Sequence, residues 1–226
     1  MPSGPLETAA PGSLPDRLLC LDTCALSDAM DSFGISGAIT GVLPVGPARR
    51  IAGQARTVAL EADRGVPSTR HLGTAAIEDS AAGDVIVVAH RSRDDAAGWG
   101  GLLAKAALAK GVSAVVVDGV CRDVDDYFEH DLPVWARGAT PVSARGRVVE
   151  ASTGEPVRLG GITVSPGDWI VADRSGVVAI PAGDVERVTA KAEALARREA
   201  LMTADIRAGR PVTEVLGHDY ETMLRS

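Results

Sequence analysis

Aromatic side chains are scarce: two Phe, two Tyr and three Trp make up 3% of 226 residues. Because 46% of the chain is hydrophobic all the same, a core has to be filled by Ala, Val, Leu and Ile. Cysteine is scarce too. Cys20, Cys24 and Cys121 give neither a disulfide framework nor a four-ligand zinc pattern. Cys20 and Cys24 stand four apart, would share a face on a helix, and read as core residues. No apolar run reaches membrane-spanning length, and Met1 to Pro15 lacks the basic-then-apolar layout of a signal. These absences point away from a membrane and towards a reducing cytoplasm. Positive charge is in deficit as well, with 23 Lys and Arg against 30 Asp and Glu, a net −7. A general nucleic-acid binder, which needs a basic face to release phosphate counterions, is therefore excluded. A small anionic substrate is not, since a pocket answers to local charge. Nucleophile-elbow, phosphate-loop and dinucleotide fingerprints are absent, and His71, His130 and His218 show no metal-ligand spacing with one another.

What is present is a chain long enough for one substantial core. Residues 1–15 are rich in Pro, Gly and Ser and read as a disordered tail. Leu14 to Phe33 has helical periodicity, stops at Gly34, and has a candidate break at Ser27-Asp28. Gly34 to Gly53 is turn-rich, Gln54 to Ala62 reads as a strand, and Ser68 to Ser80 as a helix. Three apolar runs, Asp84–Ala89, Ser113–Val117 and Pro133–Ala136, read as buried strands. Between the first two, Gly98 to Gly111 opens and closes on glycine as a helix does, and strand–helix–strand order implies a right-handed parallel crossover. From Pro156 the pattern becomes short strands joined by Gly turns, Gly83-Asp84 and Gly167-Asp168 being one shared turn device. Gly183 to about Ala208 reads as a charged amphipathic helix whose stripe (Val188, Ala192, Leu195, Ala196) needs a surface, so a neighbouring subunit is expected to supply it. The division is a tail over 1–15, a catalytic α/β domain with a mixed sheet over 16–182, and a C-terminal helical arm over 183–226.

Three places concentrate chemistry. Gly98-Trp99-Gly100-Gly101-Leu102-Leu103 opens a helix with uncovered amides, which attract an anion or are plain turn chemistry. Val117-Asp118-Gly119-Val120-Cys121-Arg122-Asp123 follows a buried strand, whose carboxyl end faces the ligand crevice in open α/β sheets. Arg122 offers a planar fork for a carboxylate or enolate, and Asp123 a hard oxygen suited to Mg²⁺. Equally, Asp123 can cap a helix starting at Val124 while Arg122 pairs with a nearby acid. His90 to Asp95 is a charged stretch that reads as a solvated loop or a pocket mouth.

Taken together, Ser27-Asp28-Ala29-Met30, Phe33-Gly34, Ala52-Gly53-Gln54-Ala55-Arg56-Thr57-Val58, Ala82-Gly83-Asp84-Val85, Trp99-Gly100-Gly101-Leu102-Leu103, Val117-Asp118-Gly119-x-x-Arg122-Asp123 and Pro166-Gly167-Asp168 occur in one order. In this the chain resembles the family containing 4-hydroxy-4-methyl-2-oxoglutarate aldolase and the regulator of ribonuclease E activity A, over roughly Leu18 to Pro181. The resemblance implies a swivelling β/β/α (phosphohistidine-domain-like) fold assembled as a homotrimer or a hexamer. It implies substrate contact at the amides of Gly100, Gly101, Leu102 and Leu103, oxygen contact by Arg122, and Mg²⁺ or Mn²⁺ on Asp123, mainly through waters. Aldolase members commonly carry an acid where this chain has Gly101. The regulator branch often lacks an intact Arg-Asp pair, and here it is complete.

The implied reaction is cleavage of a C–C bond of a 2-oxo acid through a pyruvate enolate, as an aldolase, an oxaloacetate decarboxylase, or both. Lys105 and Lys110 lie on a helix, so a divalent ion rather than a Schiff base is the expected electron sink. Glu199, from a neighbouring subunit's arm, is a candidate helper to the ion through water. Two other readings stay open: a non-catalytic regulator that binds a ribonuclease or another protein, and a same-fold enzyme recruited to a biosynthetic pathway.

Overall fold

The computed structural model describes residues 12–65 and 70–217. In chain order its elements are α1 (Leu14–Leu19), α2 (Thr23–Ser32), β1 (Ala38–Ile39), β2 (Leu43–Pro44), β3 (Ile51–Ala62), α3 (Thr74–Asp79) and β4 (Val85–Arg93). There follow α4 (Gly101–Ala109), β5 (Ala114–Cys121), α5 (Val124–Glu129), β6 (Val134–Ala139), β7 (Val148–Thr153), β8 (Val157–Leu159) and β9 (Ile162–Val164). The chain closes with β10 (Trp169–Ala172), β11 (Val177–Ile180), α6 (Val185–Arg207) and α7 (Val212–Val215).

The large sheet runs β1-β11-β10-β3-β4-β5-β6-β2, with β7 also paired to β3. β3, β4, β5 and β6 are parallel neighbours, and the remaining pairings are antiparallel. This is the mixed-sheet α/β architecture the sequence implied. One face of the parallel strands packs on α3, α4 and α5 through Ile86, Val88, Val115, Val117 and Leu103. The other face, through Val85, Val87, Val116 and Trp135, packs on the β8–β9 hairpin. All eight residues of β5 are buried. A segment covered on both faces favours apolar residues throughout, which is why Val85–Ala89 of β4 and Ala114–Val117 of β5 read as apolar runs rather than as alternating patterns.

Several local expectations need correction. The break between the first two helices falls at Cys20–Asp22 and not at Ser27-Asp28: Asp22 accepts from Ala25 N at 2.8 Å and starts a new helix there. Cys20 and Cys24 consequently do not share one helix face, and both are exposed. The helix expected over Ser68 to Ser80 is confined to α3, its first two residues lying outside the described residues. The charged stretch from His90 begins as strand, since β4 continues through Arg93 and His90 is fully buried, while Arg91, Ser92, Asp94 and Asp95 are exposed as a solvated stretch would be. β7 was unforeseen, its polar, partly exposed residues carrying no buried-strand signal. Of the segment read as a disordered tail, residues 1–11 lie outside the described residues, and Leu14-Pro15 already open α1. No helix of the described residues is long and apolar enough to cross a membrane.

The Gly-Asp device is built twice. Asp84 Oδ2 accepts from Ala81 N at 2.8 Å, and Asp168 Oδ2 accepts from Ser165 N at 2.7 Å, each closing a turn before a buried strand. α4 ends on a Schellman motif, Val112 N to Ala107 O at 3.0 Å and Gly111 N to Leu108 O at 2.9 Å, with Gly111 at φ 78.

The first half of α6 is covered within its own chain. Val185, Val188, Ala192 and Leu195 join Leu18, Leu26, Met30, Val178 and Ile180 in one buried cluster. Arg17 clamps α1 to α6, Nε to Glu193 at 2.7 Å and an Nη to Glu186 at 2.9 Å. The stripe of α6 is thus used intramolecularly, whereas its distal half leaves Leu201 70% exposed. Leu26→Ala is expected to lower the unfolding free energy by about 2–5 kcal/mol. Leu201→Ala should change that of the dissociated chain by less than about 0.5 kcal/mol. Urea denaturation of both variants checks the contrast.

Candidate functional site

The site forms where β5 ends. The segment before α4 runs alongside that end, with Gly98 N donating to Val120 O at 2.9 Å and Arg122 N donating to Trp99 O at 3.0 Å. Such close approach needs residues without side chains. A Cβ on Gly98 would lie 2.9 Å from the buried His90 ring, and one on Gly119 would lie 2.5 Å from it. His90 is held below its ordinary pKa chiefly by burial. Its Nε2 lies 2.7 Å from Ala96 O, an acceptor, so Nε2 carries the proton.

Asp123 occupies the N-cap position of α5, but in the left-handed region, φ 57 and ψ 42, and its side chain does not cap that helix. It turns instead to α4: Asp123 Oδ2 accepts from Gly101 N at 3.0 Å and from Arg122 Nε at 3.1 Å. The two simple alternatives for this pair, helix cap and ion-pair partner, thus both take an unforeseen form. The carboxylate caps the other helix, and the arginine's acid is its own neighbour. A non-glycine residue held at positive φ is strained, and strain of this kind gathers at functional sites. Buried Tyr127 supports the turn from beneath, its hydroxyl donating to Arg122 O at 2.6 Å.

These groups form one lip of a cleft of about 530 Å³, lined by Gly100, Leu102, Leu103, Arg122 and Asp123. Trp99 and Val148 contribute apolar wall, and Leu102 stands 75% exposed at the edge. The structure therefore brings Gly100, Leu102, Leu103, Arg122 and Asp123 to one cleft. Gly101 differs in role, because its amide is already engaged by Asp123; Leu102 N and Leu103 N carry no partner among the described residues. Glu199 is exposed on α6 and does not line the cleft of its own chain. His90 to Asp95 lies outside the cleft, with Arg93 forked onto Asp95 at 2.8 Å. His218 falls outside the described residues.

Sequence reasoning missed the opposite lip. Asp63, Arg70, His71 and Arg145 face the cleft from two separate segments, and nothing in their spacing links them. It also missed Asp126, Glu129 and His130, whose ligand atoms lie within 4.8 Å of one another. Their i, i+3, i+4 spacing on a helix was the available signal.

A model of the RraA-like family, described as Aldolase/RraA, matches residues 23–179. The chain is 30% identical over 173 residues to the "Putative 4-hydroxy-4-methyl-2-oxoglutarate aldolase" of Halalkalibacterium halodurans, covering 76% of this chain and 79% of that one. It is 29% identical over 204 residues to protein DlpA of Legionella pneumophila, covering 90% of this chain but spanning only 33% of that protein's length. Among solved structures, Streptomyces coelicolor RraAS2, described as an unusual member of the RNase ES inhibitor RraA family, superposes with a TM-score of 0.77. That match has 26% identity and covers 87% of this chain and 98% of the other.

Cys121, next to Arg122, is buried, and burial pushes its thiol up to about 11. At pH 8 it is protonated and enclosed, while Cys20 and Cys24 are exposed. A colorimetric thiol reagent should therefore titrate two thiols in the native protein and three after unfolding in guanidinium. Three fast thiols in the native state would mean that the end of β5 opens readily.

Proposed function

The chain belongs to the RraA-like (Aldolase/RraA) family, and from that membership and the cleft we propose that it is a divalent-metal-dependent lyase. It cleaves a C–C bond of a 2-oxo acid through a pyruvate enolate, in aldol cleavage, oxaloacetate decarboxylation or both. The observation that carries the reading is the complete Arg122–Asp123 pair on the cleft lip, with one carboxylate oxygen still unspent. Oδ2 of Asp123 holds Gly101 N and Arg122 Nε, and Oδ1 has no partner among the described residues. A hard oxygen left free in a cleft fits Mg²⁺ or Mn²⁺, which take one or two carboxylates and retain waters.

An ion on Asp123 supplies the electron sink that carbanion chemistry needs. The residues of the chain do the rest. Arg122, anchored through its backbone by Trp99 and Tyr127, presents its outer guanidinium nitrogens to the enolate oxygen. Leu102 N and Leu103 N, at the positive end of α4, receive the carboxylate. Trp99 and Leu103 give the site an apolar wall that strengthens both contacts. Glu199 can take part only from a neighbouring subunit, and the uncovered distal half of α6 supports such an assembly. The non-catalytic alternative, a regulator that binds a ribonuclease or another protein, draws on the family of RraAS2. It gives no use to the free Asp123 oxygen.

Asp123→Asn separates the readings, because Asn tolerates the left-handed backbone as Asp does and is nearly isosteric. Metal-dependent pyruvate release from oxaloacetate should fall by several orders of magnitude, with oligomer mass unchanged and melting temperature lowered only slightly, because the amide oxygen still accepts from Gly101 N. Arg122→Lys keeps the charge but loses the fork, so release should drop about 10²–10³-fold. Wild-type turnover in Asp123→Asn would put the metal site elsewhere, and in Arg122→Lys it would leave Arg122 a structural ion-pair partner; no release by the wild type over a panel of 2-oxo acids with Mg²⁺ removes the lyase reading. Light scattering should give a mass of three or six chains, and Leu201→Glu should lower it; a stable monomer at micromolar concentration excludes Glu199 from the site.

A further inference from the structure

Gly101 opens α4 without a side chain, and the direction its Cβ would take ends on a carboxylate. Asp126 Oδ2 occupies that place, with Asp126 Cγ at 2.8 Å and Asp123 Cβ at 3.1 Å from the same point. This carboxylate comes from the first turn of α5, not from α4. Its cationic neighbour is Lys105 Nζ at 3.3 Å, one turn further along the same face of α4. Lys105 is exposed and Asp126 half-buried, and a pair of this kind at the surface contributes little. It does not account for a second carboxylate set beside Asp123, where like charges oppose one another. A divalent cation held by Asp123, which has an oxygen free for it, would relieve that opposition.

We propose that Asp126 is the second acidic group of the site, a positioning residue that orders the water shell of an ion held on Asp123. It fills from α5 the space that the absence of a side chain at position 101 leaves open. The inference rests on the reading of Asp123 as the ion's carboxylate. It has one local competitor, since Asp126 also stands within ligand distance of Glu129 and His130 on its other side.

The test measures Mn²⁺ affinity of the full chain by the electron paramagnetic resonance signal of free Mn²⁺, without substrate. Asp123→Asn should abolish binding, Asp126→Asn should weaken it about 10–100-fold, and the double variant Glu129→Gln/His130→Gln should leave it unchanged. Asp126→Ala should bind as weakly as Asp126→Asn. Gly101→Asp/Asp126→Ala should recover most of the loss, because the new side chain enters the space just vacated; a purely structural Asp126 gives no such rescue. Wild-type affinity in Asp126→Asn while Asp123→Asn loses binding overturns this inference alone. Binding that follows Glu129 and His130 while Asp123→Asn retains it, or no Mn²⁺ binding by the wild type, overturns the metal reading of Asp123 as well.

Discussion

The structure depends on one constraint: β5 is buried on both faces along its whole length. A strand so enclosed can hold no solvated group, so the sheet around it has to be Val and Ile, with helices on one side and the β8–β9 hairpin on the other. Asp118 is the exception within β5, and it shows what burial of a charge demands. Arg137 Nε meets it at 2.6 Å, Ser92 Oγ donates at 3.1 Å and Gly160 N at 3.3 Å, which leaves neither oxygen unpaired. Chemistry that needs water and movable charge is thereby confined to the end of the strand, at Arg122 and Asp123.

At that end two segments distant in sequence act as one unit. The loop before α4 is bonded to the last residues of β5 through Gly98 and Trp99, and the Asp123 carboxylate bonds the first amide of α4. The left-handed backbone at Asp123 costs energy, offset by a charge-assisted contact with an otherwise orphaned N–H and with the positive end of the helix dipole. The same geometry explains the glycines. Gly98 and Gly119 clear room for the His90 ring, and Gly101 clears room for Asp126. A glycine-rich opening that reads as an anion cradle therefore serves first to bring two helices and a strand end together. Past Gly101, the amides of Leu102 and Leu103 are left for a ligand, as is that of Gly100 before it among the described residues.

Much of this was legible in the sequence, because its causes are local or periodic. Val-rich runs announce strands buried on both faces, Gly111 marks the close of α4, and Arg122-Asp123 after an apolar strand marks a crevice. The family resemblance rested on the order of such blocks. What the sequence could not disclose depends on partners far apart along the chain: the direction of the Asp123 side chain, the burial of His90, the lip formed by Asp63, His71 and Arg145, and the coverage of α6 by α1 and α2. The choice between capping α5 and binding Gly101 was decided by the ladder that brings α4 against β5, which no spacing around Asp123 reports. Residue type and periodicity determined which segments form elements and where charge can survive. The tertiary structure alone decided which of those charges meet, since that is set by the packing of whole elements and not by distance along the chain.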